Sequence, residues 1–191
     1  MDLQKLNVKL FIEPSSKVAL VEFIDVFHGW IQATDGVYHD VADYSHMQAG
    51  PGVVLVANDV NVSIEETENR RGLLFSQKSR LDGSNQEKLR VVFRSALENC
   101  RKLEEEPALR GKLHFTANEA VVSLNDRLAG SNSRVSYEAI KGEIETLVKQ
   151  LYGAASVIFE RNDDPRQRLN VRIKADAVVD VRQALEIVQR H

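Results

Sequence analysis

Residues 53–64 read VVLVANDVNVSI. Two runs rich in valine, 53–57 and 60–64, flank the pair Asn58-Asp59. Branched apolar residues favour strands, and a short Asn-Asp linker is typical of a tight turn. This stretch therefore predicts an antiparallel β-hairpin, and the rest of the chain extends the same pattern.

Similar signals on both sides of this hairpin predict further strands joined by short turns. Upstream, apolar and polar residues alternate over 5–12, which predicts a half-buried strand. Downstream, 113–125 is predicted to form a second hairpin that turns at Asn118-Glu119. Four more strands are predicted near 37–44, 72–79, 155–161 and 168–175.

Four segments carry an apolar stripe at helical spacing. The clearest is 85–105, where apolar side chains recur three or four positions apart and Cys100 lies on the stripe. The other helices are predicted near 17–32, near 136–152 and after Asp176. Because each helix has one apolar side, it must bury that side, most simply on a sheet. The sequence therefore predicts an α+β fold with mostly antiparallel strands covered by four helices.

The order of these elements predicts two similar β/α halves, 1–106 and 107–191, packed as one compact unit with a seam near 106–112. The stretch LNVKL at 6–10 resembles LNVRI at 169–173. A duplicated unit would produce this similarity. Chance would produce it too, because any half-buried strand has such a pattern.

Composition limits the class of protein. The chain has 191 residues, of which 43% are apolar and 28% charged, as in a globular rather than a disordered protein. The net charge is −3 and the basic residues are scattered, so no nucleic-acid partner is predicted. No apolar run approaches the roughly 20 residues that span a bilayer, so no membrane association is predicted. A single cysteine fits a soluble protein in the reducing cytoplasm.

Imidazole and carboxylate groups are concentrated in 25–46. Such groups can ligate a metal or transfer protons near neutral pH. In a regular strand, His39 and Asp43 would point to the same face. In the loop that follows, backbone N–H groups beside two glycines can hold an anion. The predicted ligand-binding residues are His28, His39, Asp40, Asp43, His46, Gly50 and Gly52.

The same features also have purely structural explanations. Histidines of this kind fit edge or partly buried positions, and Gly50-Pro51-Gly52 fits a plain turn. Neither a zinc motif nor a phosphate loop is present, so the sequence identifies no catalytic residue or metal, and no cofactor is predicted. Cys100 is expected to be buried and therefore unreactive.

Three stretches resemble a group of bacterial proteins of about this length that have no assigned function. They are YHDVADYSHMQAGPGVVLVA (38–57), SLNDRLAGSN (123–132) and ERNDDPRQRLNVRI (160–173). The resemblance covers most of the chain. It implies a single cytoplasmic bacterial unit and no particular activity, cofactor or catalytic residue.

Two functions follow from these observations as predictions. The lack of a strong catalytic motif favours a non-enzymatic binding or assembly protein. Strand edges that are open to pairing favour a homo-oligomer or a complex with another protein. The alternative is a histidine- or metal-dependent enzyme, or a small-molecule binder, that uses the 25–52 region.

Overall fold

The computed structural model describes residues 1–47, 50–126, 130–177 and 179–190, and these contain eight strands in one antiparallel sheet. The strands lie in the order β2-β3-β4-β5-β1-β6-β8-β7, and each neighbouring pair is antiparallel. Their bounds are β1 (Leu6–Ile12), β2 (Tyr38–Asp43), β3 (Val53–Ala57), β4 (Val60–Glu65), β5 (Gly72–Gln77), β6 (Phe115–Leu124), β7 (Val157–Arg161) and β8 (Leu169–Ala175).

Four helices of the described ranges cover one face of this sheet, which confirms the predicted α+β fold. Helix α1 packs on β2 and β3, α2 on β1 and β5, α3 on β8, and α4 on β6. None of these helices is both long and apolar enough to cross a membrane. Their bounds are α1 (Leu20–Ala33), α2 (Asn85–Glu105), α3 (Arg134–Tyr152) and α4 (Val181–Arg190).

Helix α2 shows how the sequence fixes these elements. Ser84 and Glu87 form a capping box: the Ser84 hydroxyl accepts from the Glu87 N–H, and the Glu87 carboxylate accepts from the Ser84 N–H at 2.7 Å. The apolar stripe of the helix is buried in the core and includes Cys100, whose predicted burial is confirmed. Burial raises the pKa of the Cys100 thiol well above its ordinary value, which keeps the thiol unreactive.

Alternation along β1 gives the sheet two different faces. Leu6, Val8 and Leu10 belong to the hydrophobic core beneath the helices. The residues between them, Asn7 and Lys9, therefore lie on the opposite face. No α-helix of the described residues packs there, and we call it the helix-free face.

The segment 113–125 does not form the predicted hairpin. It contains one continuous strand, β6, which pairs with β1 on one side and β8 on the other. The register with β1 shifts sharply: Leu10 pairs with Ala120, while the next residue, Phe11, pairs with Thr116. The polar signal at Asn118-Glu119 therefore marks an irregularity within a strand, not a chain reversal.

The two predicted halves share this sheet. Strand β1, from residues 1–106, pairs directly with β6, from residues 107–191. Strands β1 and β8, which carry the similar LNVKL and LNVRI stretches, flank β6 on its two sides. Duplication of the halves stays a prediction.

Candidate functional site

The predicted ligand-binding side chains lie at one edge of the sheet and are all exposed. His39, Asp40 and Asp43 are on β2, which pairs only with β3 among the described strands. His28 lies on α1, and His46 lies in the loop after β2. All five side chains therefore face solvent rather than a closed cleft.

Strand β2 does not bring these residues together as a metal site. The register with β3 shifts between Tyr38 and Asp40, so His39 is the extra residue of a β-bulge. The bulge interrupts the alternation that would place His39 and Asp43 on one face. Hydrogen bonds from Ser45 lower the pKa of Asp43. Within the described ranges, no three or more His, Cys, Asp or Glu side chains are grouped so as to hold a metal ion.

The glycine loop is shaped by close packing against a strand. Gly52 has φ +69°, and a Cβ at this position would lie 1.9 Å from the carbonyl oxygen of Ile64. The Gly50 N–H already donates to a carbonyl of the same turn at 3.0 Å. Residues 48 and 49 of the predicted loop lie outside the described residues. Packing thus accounts for Gly52 without a ligand.

A row of uncharged polar side chains crosses the helix-free face. Strand register aligns the five residues Asn61, Ser76, Asn7, Ser123 and Asn170 on five neighbouring strands. We call them the neutral row. Since adjacent strands lie about 4.8 Å apart, the neutral row is about 19 Å long.

Hydrogen bonding within the sheet does not explain the neutral row. None of its side chains forms a hydrogen bond with another group in the part of the chain that the structure describes. Asn7 is only 3% exposed, and the side-chain oxygens of Asn7 and Asn61 are both buried without a donor. A buried amide without a partner is costly, and asparagine is disfavoured in strands. These side chains therefore weaken the sheet unless something else binds them.

A second row, the basic row, runs beside the neutral row on the same face. It consists of the cations Lys78, Lys5 and Arg168 and the neutral Asn125, each one residue beyond the end of a strand and two residues in the chain from a member of the neutral row. Two residues of chain separate the rows, which places them at most about 7 Å apart along the backbone. Among the described residues, no carboxylate lies within 4.0 Å of Lys5 or Arg168. Within the described ranges, the positive charges of Lys5 and Arg168 therefore have no ion-pair partner.

Most residues of these two rows line a cavity of about 630 Å³. Val54, Val56 and Leu74 give it an apolar wall, and none of its described lining residues is acidic. A second cavity of about 490 Å³ shares Asn7, Leu74 and Arg168 with the first. The two cavities together form one open groove across the middle of the helix-free face.

An ion-pair cluster lies on the other side of the neutral row. Buried Lys9 pairs with Glu65, and its Nζ also donates to the Arg70 carbonyl at 2.7 Å. Glu119 pairs with Arg70 at 2.7 Å and with Arg172 at 3.2 Å. Burial lowers the pKa of Lys9. The cations of this cluster already have carboxylate partners, in contrast to Lys5 and Arg168.

The groove receives residues from the 25–52 region, although not the predicted ones. Ala42, Tyr44 and Pro51 line the larger cavity. None of the seven predicted ligand-binding residues lines either cavity of the groove. A histidine- or metal-dependent activity of this region stays a prediction.

Sequence reasoning missed the neutral row because each of its members occupies an ordinary polar position of an alternating strand. One signal was available. Asparagine stands in the middle of the apolar triplets LNV at 6–8, VNV at 60–62 and LNV at 169–171, where strands rarely place it.

Comparison of the chain with family models, with curated proteins and with solved structures gives no match. The groove itself is therefore the basis for inferring a function.

Proposed function

We propose that this protein is a non-enzymatic binding protein that holds a small ligand in the groove on the helix-free face. The observation that carries the proposal is the neutral row, whose amides and hydroxyls lack partners among the described residues. Amides and hydroxyls donate and accept hydrogen bonds but do not titrate near neutral pH. Such groups suit the binding of a ligand better than proton transfer.

The dimensions of the groove support this proposal. Small-molecule sites are concave, mostly preformed, and about 300 to 1,000 Å³ in volume. The larger cavity, at about 630 Å³, lies in this range and combines an apolar wall with convergent polar groups. Its floor consists of paired strands, which hold the side chains in fixed positions.

Fragment screening by NMR on ¹⁵N-labelled protein tests the proposal. We expect fragments to shift the amide signals of β1, β4 and β5, whose residues form the floor of the groove. Ser76→Phe places a ring in the groove and should abolish these shifts. Ser156→Phe makes the same change at an exposed position before β7 and should leave them intact. Shifts confined to the helices, or no shifts at all, would refute the proposal.

We propose homo-oligomerisation through β7 as a second candidate function. Strand β7 pairs only with β8 among the described strands, and Ile158 on it is 57% exposed. An open strand edge with an exposed apolar side chain favours pairing with another chain. The protein is then an assembly unit of the bacterial cytoplasm, a location that its single buried cysteine supports.

Light scattering coupled to size-exclusion chromatography tests the second candidate. We expect an oligomer that Ile158→Lys converts to a monomer. Val135→Lys changes another exposed residue, 81% exposed at the start of α3, and should leave the oligomer unchanged. A monomer at all concentrations would rule out this assembly.

A further inference from the structure

We infer that the groove takes a polyhydroxylated ligand that carries a carboxylate or a phosphate. This inference rests on the proposed binding function and adds the chemical class of the ligand. It follows from three properties of the groove: the hydrogen-bonding groups of the neutral row, the unpaired charge of the basic row, and the distance between the rows.

The neutral row selects for hydroxyl groups. The side-chain amides of Asn7 and Asn61 have no hydrogen-bond partner among the described residues, and both residues line the larger cavity. Neighbouring Ser76 and Ser123 can both donate and accept. A ligand that satisfies alternating amides and hydroxyls must offer donors and acceptors at short intervals. Successive hydroxyls on a carbon chain or ring have this property.

The basic row selects for an anionic group. Lys5 and Arg168 both line the larger cavity and have no carboxylate partner among the described residues. An arginine side chain can bind a carboxylate or a phosphate with two parallel hydrogen bonds. Because the described lining of this cavity contains no acidic residue, an anion there meets no like charge.

The spacing of the rows lets one small ligand contact both. The rows are two residues apart along the chain, which is at most about 7 Å, so the ligand must carry its anionic group and its hydroxyls on one small skeleton. A sugar acid or a sugar phosphate meets this condition, whereas acetate does not. The apolar wall of Val54, Val56 and Leu74 can then contact the carbon skeleton.

Calorimetric titration with four probes tests this inference: glucuronate, glucose 6-phosphate, glucose and acetate. We expect one or both of the sugar anions to bind, and glucose and acetate to bind at least about tenfold more weakly, since each lacks one set of contacts. Preference between glucuronate and glucose 6-phosphate identifies the anionic group.

Variants assign the binding to the two rows. Arg168→Gln should weaken binding of the sugar anion by about tenfold or more, since a charged hydrogen bond is lost. Arg134→Gln, at an exposed arginine of α3 outside the groove, is the matched control and should have no effect. Asn7→Leu should weaken binding of the sugar anion, and Ser123→Ala tests the same row if Asn7→Leu does not fold.

Each contrary outcome has a definite meaning. Equal binding of glucose and the sugar anions would overturn the role of the basic row, and equal binding of acetate would overturn the role of the neutral row. If none of the four probes binds while fragments occupy the groove, the ligand class is wrong and the binding function stands. If neither probes nor fragments bind, both proposals fail.

Discussion

The Lys9 side chain crosses over Gly72 to reach the carboxylate of Glu65, two strands away. Strand β5 lies between the two residues, and Glu65 pairs with Gly72 across the β4–β5 ladder. A Cβ on Gly72 would lie 2.8 Å from Cε of Lys9 and 2.5 Å from the Leu10 carbonyl oxygen. The glycine thus provides the space through which the buried ion pair forms.

Removal of Lys9 alone should strongly destabilise the protein. Lys9→Met leaves the Glu65 carboxylate buried without its cation, which is expected to lower the free energy of unfolding by about 3 to 5 kcal/mol. Adding Glu65→Gln to Lys9→Met replaces the unpaired carboxylate with a neutral amide and keeps an acceptor for the Thr67 N–H. Most of the lost free energy of unfolding should therefore be recovered. Urea unfolding followed by circular dichroism measures both.

Lys174→Met is the control for this pair, because Lys174 is an exposed lysine of β8. Its effect should stay within about 0.5 kcal/mol of the wild type. A double variant no more stable than Lys9→Met would show that the ion pair is not the source of the loss.

Gly52→Ala should destabilise the protein more than Gly36→Ala. Both glycines have nearly the same left-handed backbone, with φ +69° at Gly52 and +68° at Gly36. Only Gly52 packs tightly, since its added Cβ would meet the Ile64 carbonyl at 1.9 Å while that of Gly36 meets open space. We expect about 1 to 2 kcal/mol for Gly36→Ala from backbone conformation alone. Gly52→Ala should cost about 1 to 3 kcal/mol more, from the clash.

Thermal and urea unfolding of the two variants give this difference directly. Equal decreases in the free energy of unfolding of the two variants would mean that the loop at Gly52 moves away from β4 without destabilising the protein.

Tyr152→Phe should lower the free energy of unfolding by about 1 to 3 kcal/mol. The buried Tyr152 hydroxyl donates to the Ala117 carbonyl at 2.7 Å, and its removal leaves that carbonyl without this donor. The same burial raises the pKa of Tyr152 far above its ordinary value. Tyr137→Phe is the matched control, because the Tyr137 hydroxyl makes no hydrogen bond within the described residues. Similar urea midpoints for both variants would contradict this role.

The capping box of α2 should make stability depend on pH through Glu87. Hydrogen bonds from Ser84 hold the pKa of Glu87 below its ordinary value of 4.5. A carboxylate whose pKa is lower in the folded state stabilises the protein above its ordinary pKa. That contribution is lost as the pH falls from 4.5 through the lower, folded value.

Comparison of the wild type with Glu87→Gln isolates this effect, because glutamine keeps the cap geometry but does not titrate. The stability advantage of the wild type should shrink as the pH falls below 4.5. Glu138→Gln, at an exposed glutamate of α3, is the charge-matched control. An advantage of the wild type that persists at low pH would exclude Glu87 as its source.

The sequence predicted most of the fold because the fold follows local rules. Alternation of apolar and polar residues predicted β1, and the apolar stripe over 85–105 predicted α2 with the same bounds as the structure. The 113–125 hairpin was wrong for a nonlocal reason. The polar pair Asn118-Glu119 has the composition of a turn, but strands β1 and β8 on either side hold the chain extended.

The groove could not be predicted from the sequence, because it depends on the order and register of the strands. Asn7 and Asn61 are more than fifty residues apart in the chain, and they meet only because β5 pairs with both β1 and β4. The predicted cluster at 25–46 instead relied on closeness in sequence. In the structure these histidines and acids lie on an edge strand and on the segments beside it, and their side chains face solvent.

The central position of β1 has a consequence for biosynthesis. This strand leaves the ribosome before the other seven described strands, yet its two neighbours in the sheet, β5 and β6, end only at Gln77 and Leu124. Until β6 has emerged, one edge of β1 has no partner, and an unpaired apolar edge promotes association between chains. The nascent chain therefore remains vulnerable to aggregation until Leu124 has been translated and β6 can pair with β1.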